Sequence, residues 1–170
     1  MVVLDFETTG LRAHKHGLLE VAAIRLVPGQ TSCPYYHALV KQDRRIPKKI
    51  VEITGITDDM VENAAAASEV VTSLLSFIGA DPIVAYNADF DLGFLNAACQ
   101  QHITSKINRG GHSCALKLAR RTWDWLPNHR LGTVAAHLKL DMTGQHRALG
   151  DAQRAAQIYR LASLIHDVRT

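Results

Sequence analysis

Cysteine is scarce. The 170 residues include three, Cys33, Cys99 and Cys114, odd in number and far apart. That excludes a disulfide framework and shows neither zinc-type nor redox-type pair spacing. They read as buried, reduced thiols of a reducing compartment. No apolar run approaches the roughly 20 residues of a membrane span. The N-terminus has no basic region followed by an apolar stretch, so no secretion signal is expected. Charge of one sign is not in large excess. Nineteen Lys and Arg against 16 Asp and Glu give +3, mildly basic, which permits a polyanionic partner without demanding one. Repeats, low-complexity tracts and linkers are missing too. What remains is one domain, residues 1–170, with enough chain for a sizeable core. Its 47% hydrophobic and 21% charged content is ordinary for a soluble globular protein. The bulk properties stop at a soluble intracellular α/β domain.

What is present concentrates first in residues 2–10, Val-Val-Leu-Asp-Phe-Glu-Thr-Thr-Gly. They read as a buried strand followed by a polar turn closed by Gly10. Alternation along a strand puts Val2, Leu4 and Phe6 on one face and Val3, Asp5 and Glu7 on the other. Two adjacent acids on an apolar strand repel each other and are costly to desolvate. Either the strand end is exposed and the acids meet water, or a divalent cation sits between them.

The chain then reads as a polar loop over 11–17, a strand from Leu18 to Val27, a turn over 28–32, and a third strand from Tyr35 to Val40. The first three strands form an antiparallel meander. Residues 41–49 carry Lys41, Arg44, Arg45, Lys48 and Lys49. Two readings stand: a solvated loop with a short helix, or a rim facing phosphates. Residues 53–57 read as a tight loop, with Thr57 capping a short helix that opens on Asp58 and Asp59. A helix over 66–78 ends near Gly79. A buried strand over 82–86 follows, parallel to the first because a helical crossover joins them.

A helix opening on Asn87-Ala88-Asp89-Phe90-Asp91 runs to about Gln101. Asp91 precedes Phe94, Leu95 and Ala98 at helical spacing, so it is aimed inward with them. Asp89 is explained by the helix dipole alone. Residues 103–112 read as a mobile basic loop. Helices follow from Cys114 to Trp123 and from Leu131 to Leu138, with Trp123 and Trp125 as core or rim packing. The last helix enters through His146 and runs to about Ile165. Its stripe of Ala155, Ile158, Ala162 and Ile165 starts at Asp151, a second inward acid. His146 lies in the loop before it, able to swing over the site.

Four inward acids, Asp5, Glu7, Asp91 and Asp151, thus stand beside one histidine. Oxygen-only ligands select hard cations such as Mg²⁺ or Mn²⁺. Two such ions suit in-line displacement at phosphorus, and a histidine suits removal of the water's proton at neutral pH.

On these residues the sequence resembles the DnaQ-like 3′–5′ exonucleases of the DEDDh type, in particular the branch of the epsilon proofreading subunits of bacterial DNA polymerase III. The resemblance runs nearly end to end. Residues 5–10, Asp-Phe-Glu-Thr-Thr-Gly, are similar to the first exonuclease motif. Residues 20–24 are similar to the strand after it, and Gly55-Ile56-Thr57 to the Gly-Ile-Thr loop. Asn87-Ala88-Asp89-Phe90-Asp91 with Phe94-Leu95 resembles the second motif, and Leu118-Ala119-Arg120 the helix in between. Residues 146–152, His-Arg-Ala-Leu-Gly-Asp-Ala, resemble the third, whose histidine defines the subgroup. Tyr86, Thr54 and Cys114 depart from residues frequent in the family, and none of them is a metal ligand.

The resemblance implies a ribonuclease H-like fold with a central mixed five-stranded sheet flanked by helices. It implies two divalent cations, Mg²⁺ or Mn²⁺, held by Asp5, Glu7, Asp91 and Asp151, with His146 as general base. Thr8, Thr9, Gly10, Thr54, Asn87 and Phe90 form the expected substrate side. The expected partner is the 3′ end of single-stranded or frayed DNA in the cytoplasm, with a polymerase as an allowed companion. Exoribonuclease activity of the RNase T and oligoribonuclease type is the alternative. A non-catalytic binding domain on the same fold is disfavoured, because it would be expected to have lost one of the five site residues.

Overall fold

The computed structural model describes residues 1–30, 32–102 and 111–169. Five strands form one mixed sheet in the order β3-β2-β1-β4-β5. β1 (Val2–Thr8) lies at its centre. It pairs antiparallel with β2 (Leu18–Arg25), from Val2↔Arg25 to Glu7↔Glu20, and a register shift falls between Glu7 and Thr8. β3 (Tyr35–Leu39) extends that side antiparallel. On the other side β4 (Ile83–Ala85) and β5 (His112–Cys114) run parallel. The helices, in chain order, are α1 (Lys48–Thr54), α2 (Asp58–Val61), α3 (Ala67–Ile78), α4 (Ala88–His102), α5 (Ala115–Thr122), α6 (Leu131–His137) and α7 (Ala148–Arg169). The mixed sheet flanked by helices is the one expected.

The alternation of β1 divides the core. Val2, Leu4 and Phe6 pack with Val70 and Leu74 of α3 and with Phe94 and Leu95 of α4. Val3 faces the opposite layer, with Ala115 and Ala119 of α5 and Ala155, Ile158 and Ala162 of α7. Alanines at five of the buried α7 positions, from Ala148 to Ala162, let that helix lie close to the sheet. Its first turn thereby comes up to the end of the face that carries Asp5 and Glu7.

Several local expectations need correction. β5 falls where a basic loop was expected to end. His112-Ser113-Cys114 has no apolar alternation, and its strand form comes from parallel pairing with β4. The rest of that loop, 103–110, lies outside the described residues. Ile53 and Thr54 are the last turn of α1 rather than loop, and the helix stops at Gly55 (φ +70°), whose N–H donates to Val51 O. Thr57 holds the cap position of α2, but its hydroxyl makes no cap bond. Of the three free cysteines only Cys99 is buried, and Cys33 and Cys114 are half-exposed. Trp123 is core and Trp125 is rim. Among the described residues no helix is long and apolar enough to cross a membrane.

Candidate active site

Asp5 and Glu7, two residues apart on β1, project from the same face toward α7. Asp151 meets them from the first turn of that helix. One carboxylate oxygen from each of these three residues lies within 4.8 Å of the others. Asp91, 4% exposed at the start of α4, completes the group. Its charge repels that of Asp5, and its carboxylate accepts a backbone hydrogen bond from Phe6 of β1. It stands outside the tight triad. β1, α4 and α7 thus each bring acids to one end of the central strand.

The electrostatics are those of a site short of positive charge. Burial first, then repulsion from Asp91, Asp151, Glu7 and Glu20, pushes the Asp5 carboxyl well above the usual carboxylate range. Burial, with the charges of Asp151 and Glu20 outweighing Arg147, takes Glu7 to about 8. Burial takes Asp91 to about 7 against the backbone hydrogen bonds that hold it down. A divalent cation relieves both desolvation and repulsion. A donor set made only of carboxylate oxygens fits Mg²⁺ or Mn²⁺ and not a soft metal.

His146 sits in the turn before α7, exposed, with a left-handed backbone (φ +58°). Its N–H donates to Asp151 Oδ2 at 3.2 Å, so the histidine is tethered to a member of the acid cluster. Among the residues expected from the sequence to face substrate, the Thr8 hydroxyl donates to Gly10 O at 2.7 Å. Thr9 N donates to Gly17 O at 3.0 Å, and Gly17 N to Thr9 Oγ1 at 3.1 Å. These bonds close the loop after β1 on itself. Gly10 presses against the His16 ring, where a Cβ would stand 2.4 Å from the imidazole. Asn87 is exposed just before α4, and Phe90 packs against Phe94 with ring centroids 5.0 Å apart and planes tilted by 49°. Thr54 behaves differently. It is buried, its hydroxyl donates to Ile50 O at 2.9 Å and accepts from Ile56 N at 3.1 Å, so its bonds stay within its own turn.

Two residues around the site, Glu20 and Arg154, were not singled out from the sequence. Glu20, with its side chain 1% exposed, accepts from Arg147 Nη2 at 2.7 Å and from Ala148 N at 2.9 Å, and its Oε1 lies 2.7 Å from His37 Nε2. Burial would raise its pKa, but these bonds outweigh burial and lower it. It anchors the segment beside His146 to β2. The signal was a single acid in the apolar run Leu-Leu-Glu-Val-Ala-Ala-Ile. Arg154, three residues after Asp151, pairs with it at 2.7 Å, an acid–arginine spacing that a helix brings into contact.

The chain is similar to known proteins in sequence and in fold. A family model described as Exonuclease (RNase_T) matches residues 2–159. The DNA polymerase III PolC-type protein of Bacillus subtilis is 34% identical over 166 residues, 98% of this chain and 11% of that protein. The DNA polymerase III subunit epsilon of Aquifex aeolicus is 33% identical over 158 residues, 93% of this chain and 77% of that protein. The chain therefore spans about a tenth of the PolC-type relatives it matches. Among solved structures, exonuclease X bound to 5′-overhanging duplex DNA superposes with a TM-score of 0.70 at 25% identity, covering 98% of this chain and 91% of that one. A zinc-bound complex of Escherichia coli exonuclease I with single-stranded DNA shares the fold, with a TM-score of 0.82 at 17% identity over 98% of this chain and 42% of that one. The ribonuclease H-like architecture expected from the sequence is thereby borne out. With the family model matching residues 2–159 and a subunit epsilon 33% identical over 93% of this chain, the chain belongs to the RNase_T exonuclease family, in its DnaQ-like branch.

Proposed function

We propose that residues 1–170 act as one exonuclease domain that hydrolyses 3′-terminal nucleotides of DNA, with Asp5, Glu7, Asp91, Asp151 and His146 as its working residues. The observation that carries this reading is the convergence of Asp5, Glu7 and Asp151 within 4.8 Å at the end of the central strand. Bound there by Asp5, Glu7, Asp151 and Asp91, two Mg²⁺ or Mn²⁺ ions would supply water activation and charge neutralisation at the phosphate. His146 accepts the proton of the attacking water from its turn at the mouth of the site. Thr8, with the backbone of Thr9 and Gly10, holds the terminal nucleotide from the closed loop after β1. Phe90, backed by Phe94, offers a ring face at the start of α4, and Asn87 a polar group beside it. Thr54 supports the substrate side by fixing its turn.

DNA is favoured over RNA because the relatives carry DNA polymerase III names and the solved neighbours hold DNA. The same relatives favour a polymerase as partner and a cytoplasmic, replication-linked role. The test is a set of time courses on matched single-stranded, frayed and duplex oligomers of DNA and RNA, with Mg²⁺, Mn²⁺ or EDTA. Mononucleotides released stepwise from DNA 3′ ends, only with a divalent cation and not by Asp91→Ala, are expected. Faster release from RNA would replace the substrate, and full activity in EDTA or in Asp91→Ala would end the metal-site assignment.

A further inference from the structure

Arg154 is 2% exposed, on the second turn of α7. A guanidinium has five N–H donors and no acceptor, and here all five have partners. Nε and Nη2 donate to Asp151 Oδ1 at 3.1 and 2.7 Å. Nη1 donates to the carbonyls of Asp141 and Thr143, both at 3.0 Å. The second Nη2 proton goes to Gly144 O at 2.9 Å. The three carbonyls belong to the turn that leads into His146. On its other oxygen, Asp151 accepts the His146 N–H.

Gly150 is part of the same construction. A Cβ there would stand 2.5 Å from Gly144 O and 2.9 Å from Arg154 Nη2. Glycine is what lets the turn lie flat against the helix and reach the guanidinium. The turn itself uses left-handed backbone at Gly144 (φ +67°) and His146 (φ +58°). Its course is therefore set by outside contacts, and Arg154 supplies three of them.

We propose that Arg154 is a positioning residue: it joins the Asp151 carboxylate and the turn bearing His146 into one unit, so that the acid cluster and the proton acceptor keep a fixed separation. This rests on the exonuclease reading above. Lysine keeps the charge but has three donors on one nitrogen and no planar fork, so it cannot span a carboxylate and three carbonyls together.

The experiment compares the full chain with Arg154→Lys and, separately, Gly150→Ala, which changes no charge. Two readouts are taken: kcat and KM on a labelled DNA oligomer, and amide hydrogen exchange across residues 141–147 without metal. In both variants the amides of the turn, His146 included, are expected to exchange at least ~10-fold faster while those of β1 and β2 do not. kcat is expected to fall about 10- to 100-fold, the scale of a misplacement near 1 Å, with KM within about threefold. Unchanged exchange in the turn, or kcat within twofold of the parent in either variant, overturns the proposal. So does exchange that rises equally everywhere, which marks a merely structural residue. If Arg154→Lys does not fold, Gly150→Ala decides, and failure of both to fold also overturns it. A parent without nuclease activity would instead sink the exonuclease reading, and the exchange pattern would still decide whether Arg154 holds the turn.

Discussion

Glu7 and Asp91, without metal, hold their protons to about pH 8 and about pH 7, against ordinary values of 4.5 and 3.8. Between those limits the folded chain binds protons that the unfolded chain has released, so stability falls as pH rises. The contribution of these groups is full below about pH 4 and is lost as pH climbs through their raised values. The melting temperature of metal-free protein is therefore expected to drop from pH 5 to pH 8. Mn²⁺ should raise it more at pH 8 than at pH 6, where protons still compete for the same oxygens. Calorimetric melts at four pH values, with EDTA or Mn²⁺, check this, and a flat metal-free profile would contradict the site electrostatics. His146 is a separate case, since its side chain is not among the clustered acids. His146→Ala should lower kcat by about 10²–10⁴ and leave Mn²⁺ affinity, read by titration calorimetry, within a few-fold.

At the scale of elements, the anchor between β2 and the entry to α7 has a measurable share of stability. Glu20 is buried and takes bonds from Arg147, His37 and the backbone of Ala148. Removing one partner of such a group leaves the others desolvated and unpaired. Glu20→Ala should cost on the order of 3 kcal/mol, seen as a lower urea midpoint at unchanged m-value. How far such elements were legible in the sequence depended on periodicity. The faces of β1, α4 and α7 were readable because apolar residues recur at strand or helix spacing, and Asp5, Glu7, Asp91 and Asp151 fall in phase with them. β5 was not readable, because three residues, His-Ser-Cys, carry no period and owe their form to β4. Arg154 escaped for a related reason. It directly precedes the apolar stripe, and the carbonyls that satisfy it come from a turn ten to thirteen residues earlier, which no periodic pattern marks.

At the scale of the whole molecule, one segment gathers five exposed cations. Lys41, Arg44, Arg45, Lys48 and Lys49 are all exposed on one segment after β3. If that segment tracks phosphates, the affinity for single-stranded DNA falls with salt by about 0.7 log units per decade for each contact. Arg44→Ala with Arg45→Ala should make the slope of log KM against log salt shallower by one to two such steps without changing kcat at saturation. An unchanged slope would leave the segment as solvated surface only.

The central strand receives its two neighbours from different parts of the chain: β2 through a short loop, β4 after five intervening elements, with α7 closing over Asp5 and Glu7 from the far end. A hairpin can therefore assemble early, while the crowding of like charges is postponed until the last helix docks. Time-resolved measurements should register that order. Bound Mn²⁺ should slow the unfolding limb of a chevron and leave the refolding limb almost unmoved, since the barrier is crossed before the cation has a place to bind.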